Sequence, residues 1–436
     1  MRYLLLHQNI DMRILLLGSG GREHAFALKI SQSPKVESLL IAQGNGGTEA
    51  LGTNINISPT DFEAVKNCVI QNSINCLVVG PETPLVNGIV DYFEADETLK
   101  NVTVIGPNKL AATLEGSKDF SKQFMQKYNI PTAAYKTFTK DELNEAKQYL
   151  KEQKLPIVLK ADGLAAGKGV LICKSLNEAE KELEEMLNGK FGEAGAQVVI
   201  EEFLDGIEFS AFAISDGKNY QILPTAKDYK RIGEGDTGLN TGGMGSVSPA
   251  PFVDETLMQK TINQVIAPTF NGLAMENINY IGFLFIGLMV VNGEPYVIEY
   301  NCRMGDPETQ SVFSLMENDF IDLFEAIKNK QLDKVEIIAK NASAATVVLA
   351  SGGYPESYQK GKLINGLEDV IGSTIFHAGT KKDGDNLLTS GGRVMAITTV
   401  APTLKHAVEQ SMRNAQMVDF EGKYFRRDIG QDVLHL

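Results

Sequence analysis

The sequence predicts a multidomain chain of mixed α/β and α+β class, with an N-terminal doubly wound parallel sheet, a central core carrying a mobile flap, and a C-terminal α+β domain. Three observations predict it. Short apolar runs at 13–21, 38–42, 76–79 and 103–105 each end in a glycine-containing turn and alternate with helical stretches, the pattern of parallel strands with ligand loops at their carboxyl ends. The apolar run 280–291 is followed by VNGEPYVIEYNCRMGDPETQ, which reads as a hairpin about the Asn292-Gly293 turn. From about residue 334, strand patterns in ASAATVVLAS, GSTIFHAGT and SGGRVMAITTV accompany one helix, APTLKHAVEQSMRNA. A length of 436 residues suits about three domains, and the boundaries are expected at 12–112, 113–333 and 334–436, with a flap subdomain over 131–201.

Residues 1–11 are expected to be a disordered extension, because MRYLLLHQNIDM is too short in its apolar part for a signal peptide. The run RILLLGSGG is a buried strand entering a glycine turn, and REHAFALKIS is the helix after it. The dinucleotide fingerprint is incomplete, since Glu23 stands where the third glycine belongs, so a dehydrogenase is disfavoured. The amides of Gly20 and Gly21 and the loops at Asn45, Pro81 and Glu82 are instead candidates for holding a sugar phosphate. Arg22 either pairs with that phosphate or is a solvated first-turn residue.

Lys118 falls on the helix after LEGS, and the flap is expected to carry helices over 141–153 and 177–187. In PIVLKADGLAAGKGV a buried strand ends in Lys160, then Gly163, Gly167 and Gly169 surround Lys168. The spacing fails as a Walker A loop, but bare amides and two ammonium groups suit a polyphosphate, as a hairpin flap closing over nucleotide. In VVIEEFLDGIEFSAFAI, Glu201, Glu202, Phe203 and Leu204 can supply an adenine connector and an apolar slot, and Glu208 a ribose acceptor; the bland alternative is one more acidic hairpin. The glycine-rich stretch 225–251 reads as a long loop in which Asp228, Lys230 and Arg231 meet a small zwitterion, or else as a mobile surface loop. Alternation along the second hairpin strand puts Glu299, Asn301 and Arg303 on one face: two oxygen ligands for a hard divalent cation and a guanidinium for an anion. His377 and Arg393 are candidates to cover the sugar-phosphate pocket, and His377 is equally readable as a structural histidine.

Composition narrows the partners. A formal net charge of −14 with no basic stripe argues against nucleic acid and anionic membranes. Cys68, Cys76, Cys173 and Cys302 have no metal-like spacing and are expected as reduced thiols in a cytoplasmic protein. The histidines lack zinc-site spacing, and no apolar stretch reaches the roughly 20 residues of a membrane span.

The order of Lys118, Lys160 with its glycine loop, the 201–204 connector, Glu208, Glu299 and Asn301 resembles the ATP-grasp superfamily. Within it, GSGGREHA, VVGPETPLV, LEGSKDF, KADGLAAGKGV, DTGLNTGGMGSVSPAP, IEYNCRMGDPETQ, FHAGTK and GGRV resemble the phosphoribosylamine–glycine ligase family, from about Met12 nearly to the last residue. The resemblance implies a two-lobed ATP clasp and ligation of glycine to 5-phosphoribosylamine in purine biosynthesis, with ADP and phosphate released through glycyl phosphate. It implies ATP bound by Lys118, Lys160, Gly167, Lys168, Gly169, residues 201–204 and Glu208. It also implies magnesium, or manganese, on Glu299 and Asn301, with Arg303, Lys160 and Asp228 as catalytic groups. A monomer acting on small molecules is expected. One departure stands out: where some ATP-grasp enzymes carry a further metal-binding glutamate on the preceding strand, this chain has Gly287, so either one metal has fewer protein ligands or Glu294 or Glu308 helps. A biotin carboxylase or purine-pathway carboxylase would share the ATP residues but not DTGLNTGGMGSVSPAP; a nucleotide sensor would lose the cations and metal ligands.

Overall fold

The computed structural model describes residues 12–165 and 169–435. Five parallel strands open the chain: β1 (Met12–Gly18), β2 (Val36–Gln43), β3 (Thr53–Ile55), β4 (Cys76–Val79) and β5 (Thr103–Ile105), in the order β3-β2-β1-β4-β5. Ile14, Leu15, Leu16 and Leu17 have no solvent exposure, as a central strand covered on both faces requires. The strand order reverses at β1, so the crevice for a ligand opens above the carboxyl ends of β1, β2 and β4.

The flap is a four-stranded antiparallel sheet in the order Tyr135–Thr139, Gln197–Glu202, Ile157–Ala161, Val170–Cys173. Helices Leu143–Glu152 and Leu176–Glu185 cover one face. Phe138, Leu150, Leu159, Leu183 and Ile200 form its own core. The flap is therefore a unit that can move as a body.

The eight-stranded sheet joins the two remaining parts. Its order is Glu294–Asn301, Ile281–Val291, Ile207–Asp216, Tyr220–Asp228, Gly245–Ser248, Ser343–Ala350, Arg393–Ala401, Thr374–His377. Main-chain pairing of Gly245–Ser248 with Ser343–Ala350 makes the C-terminal strands a continuation of the core's sheet rather than a separate layer packed on it. The stretch expected as a long loop from Thr225 is only partly one. Tyr220–Asp228 remains strand, Arg231–Gly233 pairs with Thr237–Asn240, and Gly245–Ser248 rejoins the main sheet. Polar residues with little alternation hid these short strands, which are held by tertiary pairing rather than by propensity.

Candidate functional site

The nucleotide side is built from the helix Lys118–Lys127, the flap sheet and the hairpin edge. Lys118 and Lys122, four residues apart, share a helix face. Lys118 Nζ donates to the carbonyls of Asp162 (3.4 Å) and Gly163 (3.2 Å) at the root of the flap loop. Burial lowers its pKa, partly countered by Glu299. Lys160, in a fully buried strand and 5% exposed, pairs with Glu201 Oε2 at 2.9 Å and donates to the Ile298 carbonyl at 3.1 Å. That carbonyl is turned out by a bulge in the hairpin, where Leu288 faces Val297 but Gly287 faces Glu299.

Glu201 contributes more than backbone. Its carboxylate lies between Lys160 and Lys122, with Lys122 Nζ 3.2 Å from Oε2, while Oε1 is buried without a hydrogen-bond partner among the described residues. Glu202 accepts from the Ala134 amide at 2.9 Å, Phe203 is 37% exposed beside it, and Leu204 is partly exposed. Gly169 closes the flap hairpin, its carbonyl accepting from Ala161 N at 2.8 Å, and the Gly163 amide is already given to Ala194 O. Gly167 and Lys168 lie outside the described residues.

Glu208 is paired with Lys230, which also contacts Asp228 at 3.1 Å. The expected ribose acceptor and the expected zwitterion group thus share one ammonium. Although burial works against the charge, Asp228, Glu208 and Glu299 hold the Lys230 pKa well above its ordinary value. Arg231 does not join them. It opens the short hairpin that begins just after Lys230, half-exposed, and donates to Gly238 O at 2.9 Å across that hairpin.

For a divalent cation the donors are Glu299 and Asn301, two apart on the edge strand. A side chain at Gly287 would bring its Cβ to 3.2 Å from Glu299 Cγ, so the neighbouring strand leaves room for Glu299 and offers no second ligand. Glu294 is spoken for by Lys260 and Gln264 at the far end of the hairpin. Glu308 is 4% exposed, and burial, with the charge of Asp228, pushes its carboxyl up to about 8. Among the described residues no group of three or more His, Cys, Asp or Glu is placed to hold a metal. One carboxylate and one amide fit a cation that keeps its waters and shares phosphate oxygens.

The second side is the crevice above β1, β2 and β4. Here several sequence-based expectations need correction. The Gly20 amide donates to Glu23 Oε2 at 2.6 Å, so it is not a free phosphate donor. Gly21 packs closely against Gln310, a Cβ there lying 2.4 Å from its Nε2. Arg22 is neither solvated nor free: it is 8% exposed, bonded to Glu23 (2.6 Å) and the Met304 carbonyl (3.2 Å), and 4.0 Å from Glu82. The Glu23 carboxylate fills the space that the missing third glycine would leave, with Gly18 and Gly80 pressed against it. Asn45 is consumed by structure: Nδ2 donates to Ser19 O and His377 O at 2.9 Å, and Oδ1 accepts from Gly47 and Thr48 amides.

Pro81 precedes the short helix Glu82–Val86. Burial would raise the Glu82 carboxyl, but the Arg303 and Arg22 guanidiniums hold it down to about 2. Arg303 lies past the end of the strand that carries Glu299 and bridges Glu82 (3.3 Å) to Glu115 (2.9 Å), a carboxylate that also accepts from the Cys302 amide at 2.7 Å. Cys302 itself is buried in the N-terminal domain's core. His377 donates its amide to His24 Nδ1 at 2.8 Å, and burial lowers both rings, His24 to about 3 and His377 to about 4. Arg393 spends its guanidinium on the carbonyls of Gly242 (2.6 Å) and Gly243 (3.4 Å) and on Asp306 Oδ2 at 3.3 Å. A cleft of about 470 Å³ remains between the domains, bounded by Ser19, Gly44, Asp306, Thr380, Lys381 and Arg393.

Sequence reasoning missed Lys122, Glu115, Asp306 and the structural use of Glu23. Lys122 was readable as the i+4 neighbour of Lys118; Glu115 and Asp306 lie inside quoted motifs, but their partners come from distant segments.

Comparison with known proteins agrees over nearly the whole chain. Models of the phosphoribosylglycinamide synthetase N domain, ATP-grasp (A) domain and C domain match residues 12–115, 116–309 and 344–432. A phosphoribosylamine–glycine ligase of Pasteurella multocida is 47% identical over 424 residues, covering 96% of this chain and 97% of its own. One from Fusobacterium nucleatum is 45% identical, covering 96% and 98%. The crystal structure of phosphoribosylamine–glycine ligase from Thermotoga maritima superposes with a TM-score of 0.83 at 36% identity, covering 96% of this chain and 100% of that one. The biotin carboxylase domain of Hydrogenobacter thermophilus 2-oxoglutarate carboxylase shares the fold alone, with a TM-score of 0.71 at 16% identity, covering 95% and 92%. With all three domain models matched in order, the chain belongs to the phosphoribosylglycinamide synthetase family, on an ATP-grasp fold.

Proposed function

We propose that the protein joins glycine to 5-phosphoribosylamine at the expense of ATP, giving glycinamide ribonucleotide, ADP and phosphate in purine biosynthesis. The observation that carries the site reading is the single segment 299–306. It begins at the nucleotide side with Glu299 and Asn301, passes through Arg303, and ends at Asp306 on the cleft between the domains. A phosphoryl donor at one end and an amine acceptor at the other then share one short stretch of backbone.

The chemistry follows from charge. A carboxylate is a poor electrophile, so glycine's carboxylate oxygen first attacks the terminal phosphorus of ATP, breaking its bond to ADP and giving glycyl phosphate. The amine of phosphoribosylamine then attacks the acyl carbon, and phosphate leaves as the amide forms. Lys118 and Lys160 neutralise the triphosphate, and Lys230 is the cation near the incoming carboxylate, while Arg303 fixes Glu82 and Glu115 beside it. Asp228 faces the glycine ammonium. Glu299 and Asn301 would hold magnesium or manganese, which when bound supplies charge to the phosphate oxygens. The flap covers the acyl phosphate and excludes water. The 470 Å³ cleft takes the sugar phosphate, with Asp306 suited to ribose hydroxyls rather than to phosphate. The substrates are small molecules and the reading is of a monomer.

The test is ADP release with magnesium and ATP on adding glycine and phosphoribosylamine separately and together. Turnover that needs both, with glycinamide ribonucleotide formed, is the expected result. Turnover with a different carboxylate or amine, and none with this pair, would reject the substrate assignment while leaving the ATP-grasp chemistry.

A further inference from the structure

Lys122 has no place in the phosphate chemistry, yet it is 2% exposed and sits at the nucleotide side. Its ammonium is fully committed to fixed partners. It donates to Thr132 Oγ1 at 2.8 Å and to the Ala133 carbonyl at 3.3 Å, pairs with Glu201 Oε2 at 3.2 Å, and lies 5.5 Å from the Tyr135 ring centre. Thr132 is itself tied down, donating to the Val297 carbonyl at 2.7 Å. Burial lowers the Lys122 pKa to about 8, opposed by the Glu201 charge.

Glu201 is 3% exposed and serves two ammoniums with one oxygen, while Oε1 is buried with no partner among the described residues. A buried acceptor left open marks a donor still to come. The two lysines differ in what they can do next. Lys160 stands at the end of the strand leading into the flap loop, where polyphosphate is read above, and as it turns to the phosphates its hold on Glu201 weakens. Lys122 has nowhere to turn.

We propose that Lys122 is the positioning residue of the nucleobase pocket: it keeps Glu201 in place when Lys160 engages phosphate, so that Oε1 accepts from the exocyclic amine of adenine and the site selects a 6-amino over a 6-oxo purine triphosphate. This rests on the reading of residues 201–204 as the adenine connector. With methionine at 122, the carboxylate has Lys160 alone and follows it toward the phosphates, and the acceptor leaves the base.

The experiment compares kcat and KM for ATP and for inosine triphosphate, which differs at the 6-position, in the native chain and in Lys122→Met, Lys122→Arg, Thr132→Val and Glu201→Gln. The ATP-to-ITP ratio of kcat/KM should fall roughly tenfold in Lys122→Met, the worth of one charge-assisted hydrogen bond, through KM for ATP rather than kcat. Lys122→Arg should restore most of the ratio, and Thr132→Val, which removes an anchor of the ammonium, should shift it in the same direction by less. A merely structural lysine would lower both nucleotides alike, so a ratio unchanged in every folded variant at 122 and 132 overturns the proposal. Glu201→Gln separates the two ideas. If it too leaves the ratio unchanged, Glu201 does not meet the base and the connector reading fails; if it alone collapses the ratio, only the role of Lys122 fails.

Discussion

The two sides of the site use their charges differently. On the nucleotide side, cations remain with work still to do: Lys160 shares one carboxylate with the fixed Lys122, the second oxygen of that carboxylate has no partner among the described residues, and Lys118 donates there to loop carbonyls. On the cleft side, nearly every arginine expected to grip phosphate is already spent on protein. Arg22 is held by Glu23, Arg303 by Glu82 and Glu115, and Arg393 by Asp306 and the carbonyls of Gly242 and Gly243. These guanidiniums are rivets between domains. The planar fork of arginine suits such fixed bidentate joints, whereas a lysine ammonium moves easily between partners. Charge is stored for ligand in one region and for assembly in the other.

The sharpest test of that contrast lies on the nucleotide side. Glu299→Gln should lower kcat/KM by on the order of a hundredfold or more, since it removes charge where phosphate charge must be met. It should leave the thermal midpoint close to native, because Glu299 lies on the edge strand of the eight-stranded sheet and is only partly buried. A variant that keeps its activity would remove Glu299 from any metal role.

Arg303→Met should behave in the opposite way. Two carboxylates, Glu82 and Glu115, lose their shared partner at the junction of domains. The expected cost is roughly 3 kcal/mol, the lower end for breaking a buried pair, since Glu82 keeps some solvent. Denaturant unfolding measures it. A stability loss below about 0.5 kcal/mol with severe loss of activity would place Arg303 with the nucleotide-side cations instead, and the comparison would break there.

How legible each region was follows from the same difference. The nucleotide-side residues sit in contiguous strings, and a strand ending in Lys160 or a pair such as Glu299 and Asn301 can be recognised without knowing what faces it. The parallel sheet was legible for a like reason, because a run such as Ile14–Leu17 has no solvent face to alternate with. The cleft side was not, because its meaning lies in partners far along the chain: Arg22 with Met304, Asn45 with His377, Arg393 with Gly242. Glu23 shows the limit best. Its presence spoiled a fingerprint and was read as an absence, whereas in the fold its carboxylate takes the Gly20 amide that a phosphate would have used.

A pH experiment probes the packing of the cleft side without touching the nucleotide side. His24 and His377 titrate at about 3 and about 4 in the fold, below the ordinary 6.5, because burial disfavours the charged ring. The unfolded chain therefore binds protons that the fold refuses as pH drops from 6.5 toward 4. The stability from keeping these rings neutral is fully present above 6.5 and is lost as pH falls through the folded values. Replacing both histidines by asparagine removes this term. The native chain should then lose more stability than the double variant between pH 6.5 and 4, and parallel losses would mean that the pair is solvated in solution.

The smallest expected effect tests the one residue that the fold moved out of its expected company. Arg231 was grouped with Asp228 and Lys230 by adjacency, but its guanidinium caps Gly238 on the exposed short hairpin. Arg231→Ala should change stability by no more than about 0.5 kcal/mol and leave KM for glycine within about twofold. Asp228→Asn should raise that KM far more, since Asp228 is buried against Lys230. If Arg231→Ala instead raises KM for glycine tenfold, the hairpin must fold over the site during turnover. Arg231 would then be a cation that waits for a ligand, as Lys118 and Lys160 are, and the division between fixed arginines and available lysines would be less sharp than the ion pairs suggest.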